Sequence, residues 1–107
     1  MMMDAVFRAL ADPSRRELLD GLRERGGQTL AELCEGRGMT RQAVSKHLAV
    51  LEGASLVVTE KRGCEKLHYL NPVPIQEIAD RWIGKYDRGV LTALANLKRH
   101  LEGDTDG

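Results

Sequence analysis

Apolar residues recur with helical spacing over most of this chain, and the clearest example lies between Gly38 and Leu51. At 3.6 residues per turn its apolar positions form one stripe: Ala43, Val44, Leu48 and Leu51. Thr40 precedes the stripe as a candidate N-cap, and Gly53 follows it as a candidate C-terminal cap. The opposite side holds polar and basic residues: Arg41, Gln42, Ser45, Lys46 and, nearer the edge, His47. The pattern predicts an amphipathic helix with an exposed polar face.

A shorter helix is predicted directly upstream. Thr29 and Glu32 have the spacing of a capping box, which opens a helix through Leu33 and Cys34. Residues 36–39 (GRGM) contain two glycines and supply a turn before the longer helix. A short helix, a turn of about four residues and a second helix with a basic face form a helix-turn-helix, whose second helix reads the major groove of DNA.

Two helices are predicted before this motif. Val6, Phe7 and Leu10 have helical spacing and predict a first helix over residues 3–11. Asp12 as N-cap and Pro13 at the first helical position start a second helix, which runs to about residue 23. This second helix is expected to bury three leucines: Leu18, Leu19 and Leu22.

A β-hairpin is predicted after the helix-turn-helix. Residues 56–59 (LVVT) and 67–70 (LHYL) have β-compatible patterns, and a charged, glycine-containing turn over residues 61–66 separates them. The basic residues Lys61, Arg62 and Lys66 exceed the acidic Glu60 and Glu65 by one charge. Such a hairpin is a wing that suits a phosphate or minor-groove contact, and a hairpin that touches only solvent is the alternative.

The last third of the chain predicts one long helix over residues 74–101, which Gly84 is able to interrupt. One apolar row steps by three or four residues: Ile75, Ile78, Trp82, Tyr86, Val90, Leu94, Leu97 and Leu101. A second row widens the stripe: Ala79, Ile83, Leu91 and Ala95. This is more apolar surface than one small domain covers, so it predicts a partner chain, most simply a second copy. Residues 103–107 are expected to form a flexible acidic tail.

Charge is balanced over the whole chain but not locally. The 107 residues suit one domain, expected over residues 1–102, and its 16 basic and 16 acidic residues exclude a nonspecific nucleic-acid coat protein. Residues 37–51 carry three cations and no acid, so any DNA contact is local. Because Arg and Gln suit base edges while Ser and Lys suit phosphates, the candidate DNA-binding set is Arg37, Thr40, Arg41, Gln42, Ser45, Lys46, His47, Lys61, Arg62 and Lys66.

Several classes of protein are excluded by what the sequence lacks. No apolar run approaches the length of about 18 residues that spans a membrane, and no signal peptide is evident, so a cytoplasmic protein is expected. Cys34 and Cys64 lie too far apart for a zinc knuckle, and reduced thiols are expected. No glycine-rich phosphate loop or nucleophile elbow is present, which argues against an enzyme and against a cofactor.

Three segments resemble a known family, the ArsR/SmtB-type bacterial winged-helix repressors. They are FRALADPSRRELL, LAELCEGRGMTRQAVSKHLAVLEGASLV and GCEKLHYLN, which cover most of residues 6–71. The resemblance implies a mainly α winged helix-turn-helix that dimerises through its first and last helices, binds a palindromic double-stranded operator and represses transcription. With the apolar pattern, it assigns the dimer contacts to Val6, Phe7, Leu10, Ile78, Trp82, Tyr86, Val90, Leu94 and Leu97.

The departures from that family concern metal sensing. Members that sense arsenic or cadmium carry a CxC pair where this chain has Thr29 and Ala31, and members that sense zinc place Asp, His and Glu ligands along the last helix. This chain offers only His100 there. A borderline metal needs three or four converging ligands, so we expect no metal site and DNA binding that is insensitive to zinc, cadmium and arsenite.

Two other functions remain open at this point. The chain could be a winged-helix module that docks another protein through its long apolar helix, with an incidental basic face. It could also be a thiol-based, redox-responsive repressor, because Cys64 lies between Arg62 and Lys66, whose charges favour the reactive thiolate.

Overall fold

The computed structural model describes residues 2–106, with the surroundings of side chains given for residues 3–103. Along this part of the chain the elements are α1 (Met2–Leu10), α2 (Pro13–Glu24), α3 (Leu30–Cys34), α4 (Arg41–Gly53), β1 (Val57–Arg62), β2 (Glu65–Leu70), α5 (Val73–Trp82) and α6 (Arg88–Asp106). The chain divides into two compact units, Met1–Gln76 and Glu77–Gly107. A single domain over residues 1–102 stays a prediction.

Side chains that were recognisable in the sequence start three of the helices. The carboxylate of Asp12 accepts hydrogen bonds from the backbone N–H groups of Ser14 (2.7 Å) and Arg15 (3.3 Å) at the start of α2. Thr29 and Glu32 form the predicted capping box on α3. The hydroxyl of Thr40 accepts from the N–H of Ala43, 3.1 Å away, and starts α4. Each cap satisfies an N–H group that has no partner within its helix, which confirms the predicted starts.

The core of the first unit is aliphatic. It contains the three predicted leucines of α2, together with Leu33 of α3 and the inner face of α4: Leu18, Leu19, Leu22, Leu33, Val44, Leu48 and Leu51. Val6 of α1 is also part of this core, with only 2% of its surface exposed. The assignment of Val6 to a dimer surface is therefore corrected, because its side chain is already covered within its own chain.

Helix α4 ends one residue later than the sequence suggested. Gly53 is the last residue of α4, the C-cap is Ala54, and the left-handed conformation falls on Ser55 with φ 61°. The N–H of Leu56 then donates to the carbonyl of Leu51 across 2.9 Å. Leu56 is fully buried, so this turn fixes where the hairpin leaves the helix.

The hairpin strands are longer than predicted. They pair in antiparallel register up to Arg62 opposite Glu65, so the turn is only Gly63–Cys64. Gly63 has φ 63°, a conformation that two-residue hairpin turns require and that glycine adopts without strain. The three basic residues assigned to a turn therefore lie on strands. Because side chains alternate between faces, Lys61 and Lys66 share one face with His68, and Arg62 lies on the other.

A buried polar pair anchors the hairpin to the helices. The backbone N–H of His68 donates to the carbonyl of Gln28 across 2.8 Å, and the two residues form an isolated bridge. The side-chain amide of Gln28 donates through its Nε2 to the backbone carbonyls of Gly21 (3.0 Å) and Arg25 (2.7 Å) at the end of α2. This pairing fixes the position of β2 beside the start of α3.

The helix predicted over residues 74–101 is not continuous: the chain forms α5 and α6, with the break at Gly84 that the sequence had left open. At Gly84 an added Cβ would stand 2.8 Å from the carbonyl oxygen of Asp80, so only glycine fits this turn. Asp87 then caps α6 by accepting from the N–H of Val90 at 2.8 Å. The predicted tail belongs to α6 as far as Asp106, and Gly107 lies outside the described residues. None of the helices in residues 2–106 is both long and apolar enough to cross a membrane.

The cap on α2 is expected to make stability depend on pH. Partial burial raises the pKa of Asp12, but the N–H groups of Ser14 and Arg15 and the charges of Arg15 and His47 outweigh it and leave this pKa below its ordinary value. A carboxyl with a lowered pKa stabilises the folded state above its unfolded-state pKa, and this stabilisation is lost as pH falls through the folded value. Asp12→Ala should therefore lower the urea midpoint at pH 7 and change it little near pH 2.

Asp12→Asn is the matched control, because an asparagine also caps helices but carries no charge. At pH 7 its urea midpoint should lie closer to that of the native protein than the midpoint of Asp12→Ala does. Its urea midpoint should also depend less on pH than that of the native protein. All three proteins are compared at one concentration. Equal midpoints for the native protein and Asp12→Ala at pH 7 would contradict this role of Asp12.

Candidate nucleic-acid interface

One face of α4 is free of apolar side chains and points away from the core. Arg41, Gln42, Ser45 and Lys46 are all exposed, while Val44 and Leu48 of the same helix are buried. Thr40 is the N-cap and is exposed as well. The polar face that the sequence predicted is thus presented outward from the first residue of the helix. Its role in binding stays a prediction.

A groove of about 410 Å³ separates α4 from the hairpin, and we call it the helix–wing groove. Arg41, Ser45 and Glu52 of α4 line one side, and Cys64, Glu65, Lys66 and His68 line the other. Residues 29–31, at the start of α3, also border it. The groove therefore brings together two sequence candidates from the helix, Arg41 and Ser45, and one from the hairpin, Lys66.

The three hairpin cations have different surroundings. The ammonium of Lys66 lies 3.4 Å from the carboxylate of Glu52, which ties the hairpin to α4. The guanidinium of Arg62 lies 2.7 Å from the carboxylate of Glu60 on the opposite face of the hairpin. Lys61 is exposed and stands directly across the strands from Lys66. The positive face of the wing therefore consists of Lys61 and Lys66 and lies on the side nearer α4.

Two sequence candidates are engaged inside the chain instead. The Nε of Arg37 donates to the carbonyl of Leu33 across 2.7 Å, and its guanidinium lies over Gly21 of α2. Arg37 thus closes the end of α3, and the DNA contact that the sequence predicted for it stays a prediction. His47 is half-buried, with its Nδ1 3.4 Å from a guanidinium nitrogen of Arg15.

Sequence reasoning gave no role to Arg15, which the structure places between helices. Its side chain is only 16% exposed. Its guanidinium donates to the carbonyls of Ala9 (2.8 Å) and Arg8 (3.1 Å) at the end of α1 and reaches His47 on α4. Arg15 therefore connects α1 and α2 to the helix that carries the polar face. Arg15 belongs to the ADPSRR segment that carried the family resemblance, but its charge alone gave no reason to place its side chain inside the protein.

The candidate dimer residues other than Val6 keep apolar surface in contact with solvent. Phe7 of α1 is exposed and Leu10 is half-buried. In the second unit Ile78 is half-buried, and the remaining candidates are exposed: Trp82, Tyr86, Val90, Leu94 and Leu97. A set of large exposed apolar side chains is typical of an interface with another chain.

Among the side chains that the structure describes, those of residues 3–103, no group of three His, Cys, Asp or Glu is placed to hold a metal ion. Cys34 is half-buried, and Cys64 is exposed in the hairpin turn. The expected insensitivity to zinc, cadmium and arsenite stays a prediction.

Comparisons with known proteins agree on the fold and the family. A family model described as a helix-turn-helix domain matches residues 10–60. The HTH-type transcriptional regulator YuzN of Bacillus subtilis is 41% identical over 75% of this chain and 94% of its own length. The transcriptional repressor SdpR of Bacillus subtilis is 28% identical over 81% of this chain and 96% of its own. The solved structure of an ArsR-like transcriptional regulator from Rhodococcus sp. RHA1 superposes with a TM-score of 0.67 at 27% identity, over 98% of this chain and 91% of that one.

These matches confirm the mainly helical winged helix-turn-helix with its β-hairpin wing, and they confirm that the family regulates transcription and is not enzymatic. The matched residues 10–60 include α3 and α4, which border the helix–wing groove, and α4 carries the polar face. The chain belongs to the ArsR family of winged helix-turn-helix, DNA-binding transcriptional regulators.

Proposed function

We propose that this regulator is a cytoplasmic, dimeric repressor that binds a palindromic DNA operator and uses no metal-sensing site. The observation that carries the proposal is the outward polar face of α4, which begins at Arg41 and borders the helix–wing groove. The relative SdpR is itself named a transcriptional repressor, which supports the same direction of control.

The residues of α4 divide the work of binding in this proposal. Arg41 and Gln42 lie in the first turn, the part of a recognition helix that meets base edges, and their side chains suit guanine and adenine. Ser45 and Lys46 follow on the exposed face and hold phosphate oxygens. Lys61 and Lys66 add phosphate contacts from the wing.

The dimer supplies the palindromic symmetry. A twofold pair presents two copies of α4 to half-sites separated by about one helical turn of DNA. The apolar surfaces of α1 and α6 are the proposed contacts between the subunits, because residues such as Phe7 and Leu94 are large, apolar and exposed.

A salt series tests DNA binding against the alternative of a protein-docking module. Affinity for a duplex should fall as salt rises, with a log–log slope of about −0.9 for each phosphate neutralised. Neutralisation of several phosphates predicts a slope of several units. If the protein shows no affinity for DNA even at low salt, the proposal is contradicted and the docking module is favoured.

The wing is expected to neutralise about two phosphates, one through Lys61 and one through Lys66, and so to account for part of the salt dependence. Lys61→Gln combined with Lys66→Gln should make the slope less steep by up to about 1.8 units, since each neutralised phosphate accounts for about 0.9. Arg62→Gln is the matched control, because it removes one cation from the same hairpin but from the face opposite Lys61 and Lys66. It should change the slope less. An unchanged slope in the double variant would show that the wing does not touch DNA.

A further inference from the structure

The inner wall of the helix–wing groove contains a histidine whose neutral tautomer is fixed by a hydrogen bond to the backbone. His68 is 4% exposed, and its ring Nδ1 lies 2.8 Å from the backbone carbonyl of Gln28. A carbonyl oxygen only accepts hydrogen bonds, so Nδ1 must carry a hydrogen. The neutral ring therefore has its lone pair on Nε2.

The Nε2 atom opens into the groove. Among the described residues every fully buried side-chain nitrogen or oxygen has a hydrogen-bond partner. The hydrogen bond described for the His68 ring is the one at Nδ1. Nε2 must then reach solvent, and the solvent beside His68 is the groove that this residue lines.

The charges around the groove balance while His68 is neutral. Arg41 and Glu52 face it from α4, and Glu65 and Lys66 face it from the hairpin, beside the thiol of Cys64. The acid of α3, Glu32, does not line the groove and is held by Thr29 and Arg25. Two cations and two anions line the groove, so it has no preference for an anion until His68 gains a proton. With that proton the lining carries one net positive charge.

We propose that one backbone phosphate of bound DNA occupies the helix–wing groove and that His68 takes up a proton from solvent to bind it. The inference rests on the proposed function. A phosphodiester presents only acceptor oxygens, so the ring must donate from Nε2 while Nδ1–H stays on Gln28, and a ring that donates from both nitrogens is an imidazolium. The phosphate stabilises that cation, while Ser45 of α4 and Lys66 of the hairpin supply further donors from both walls.

The consequence is binding that is linked to pH. Because the complex holds more protons than the free protein, affinity rises as pH falls through the range in which histidines titrate, about pH 5 to 8. Uptake of one proton changes affinity by up to tenfold per pH unit. The contact is to the backbone, so the effect applies to a duplex of any sequence.

The test isolates this residue among the three histidines of the chain, His47, His68 and His100. A background protein carries His47→Gln and His100→Gln, and a second protein adds His68→Gln. Affinity for a mixed-sequence duplex is measured at constant salt across the histidine range. The background protein should lose affinity as pH rises, by up to tenfold per unit, and addition of His68→Gln should flatten the profile. Equal pH profiles for the two proteins would overturn the inference.

A second measurement does not depend on the folding of the variants. The C–H proton resonances of the His68 ring are followed against pH in the native protein, with and without the duplex. Their titration midpoint should move to higher pH when DNA is present. An unmoved midpoint overturns the inference and leaves the proposed function standing, whereas a protein that binds no duplex at any pH overturns both.

Discussion

Leu94→Glu and Leu97→Glu are expected to convert the protein to a monomer and to abolish operator binding. Both leucines lie on α6 and are more than half exposed, at 53% and 54%. Burial of a leucine side chain contributes about 1.5 to 3 kcal/mol, and a twofold interface buries each residue twice. A carboxylate in that position removes the contribution and adds the cost of burying an unpaired charge.

Sedimentation at micromolar concentration measures the first effect, and duplex titration measures the second. Thr92→Glu is the matched control, because residue 92 lies on the opposite side of α6 from residues 94 and 97. It should remain a dimer and bind DNA. A native protein that sediments as a monomer at micromolar concentration would contradict the proposed interface.

Arg41→Ala is expected to reduce operator affinity by about 1 to 3 kcal/mol and to relax the sequence preference at one base pair. Arg41 is the first residue of α4 and is exposed, and an arginine contact to a guanine edge is lost completely when the side chain is truncated. Lys46→Ala provides the comparison, because a phosphate contact carries no sequence information. It should weaken binding to all duplexes alike.

Titration of both variants against the operator and its single-base substitutions separates the two roles. If Arg41→Ala weakens every duplex by the same factor, Arg41 holds a phosphate across the helix–wing groove and does not read a base. If operator affinity and sequence preference both stay unchanged in Arg41→Ala, Arg41 does not contact DNA as the proposed recognition helix requires.

The helices of the first unit were readable from sequence because local signals agreed with one another. Asp12, Thr29 and Thr40 each precede an apolar stripe, and each is a cap in the structure. The break between α5 and α6 was not readable from spacing, because the apolar rows continue in helical period on both sides of Gly84. The sequence marked Gly84 as a residue able to interrupt the helix, and in the structure an added Cβ at this position would stand 2.8 Å from the carbonyl oxygen of Asp80.

Only part of the candidate interface could be predicted from the sequence, because contacts between distant segments engage some of its polar residues. Arg37 and Arg41 look alike in sequence, but Arg37 packs over Gly21, a residue sixteen positions away, and is used inside the chain. His68 looked like a wing residue, and its partner Gln28 lies forty positions earlier. Contacts between distant segments decide which polar groups are free to bind, and no local pattern records them.

Selection of bound duplexes from a random pool, followed by sequencing, tests the central claim most directly. The account predicts enrichment of one palindromic sequence whose half-sites are about one helical turn apart, since a twofold dimer presents two copies of α4 to the major groove. Enrichment of a single unrepeated half-site would contradict the dimer. Recovery of duplexes with no shared sequence would contradict a sequence-specific repressor.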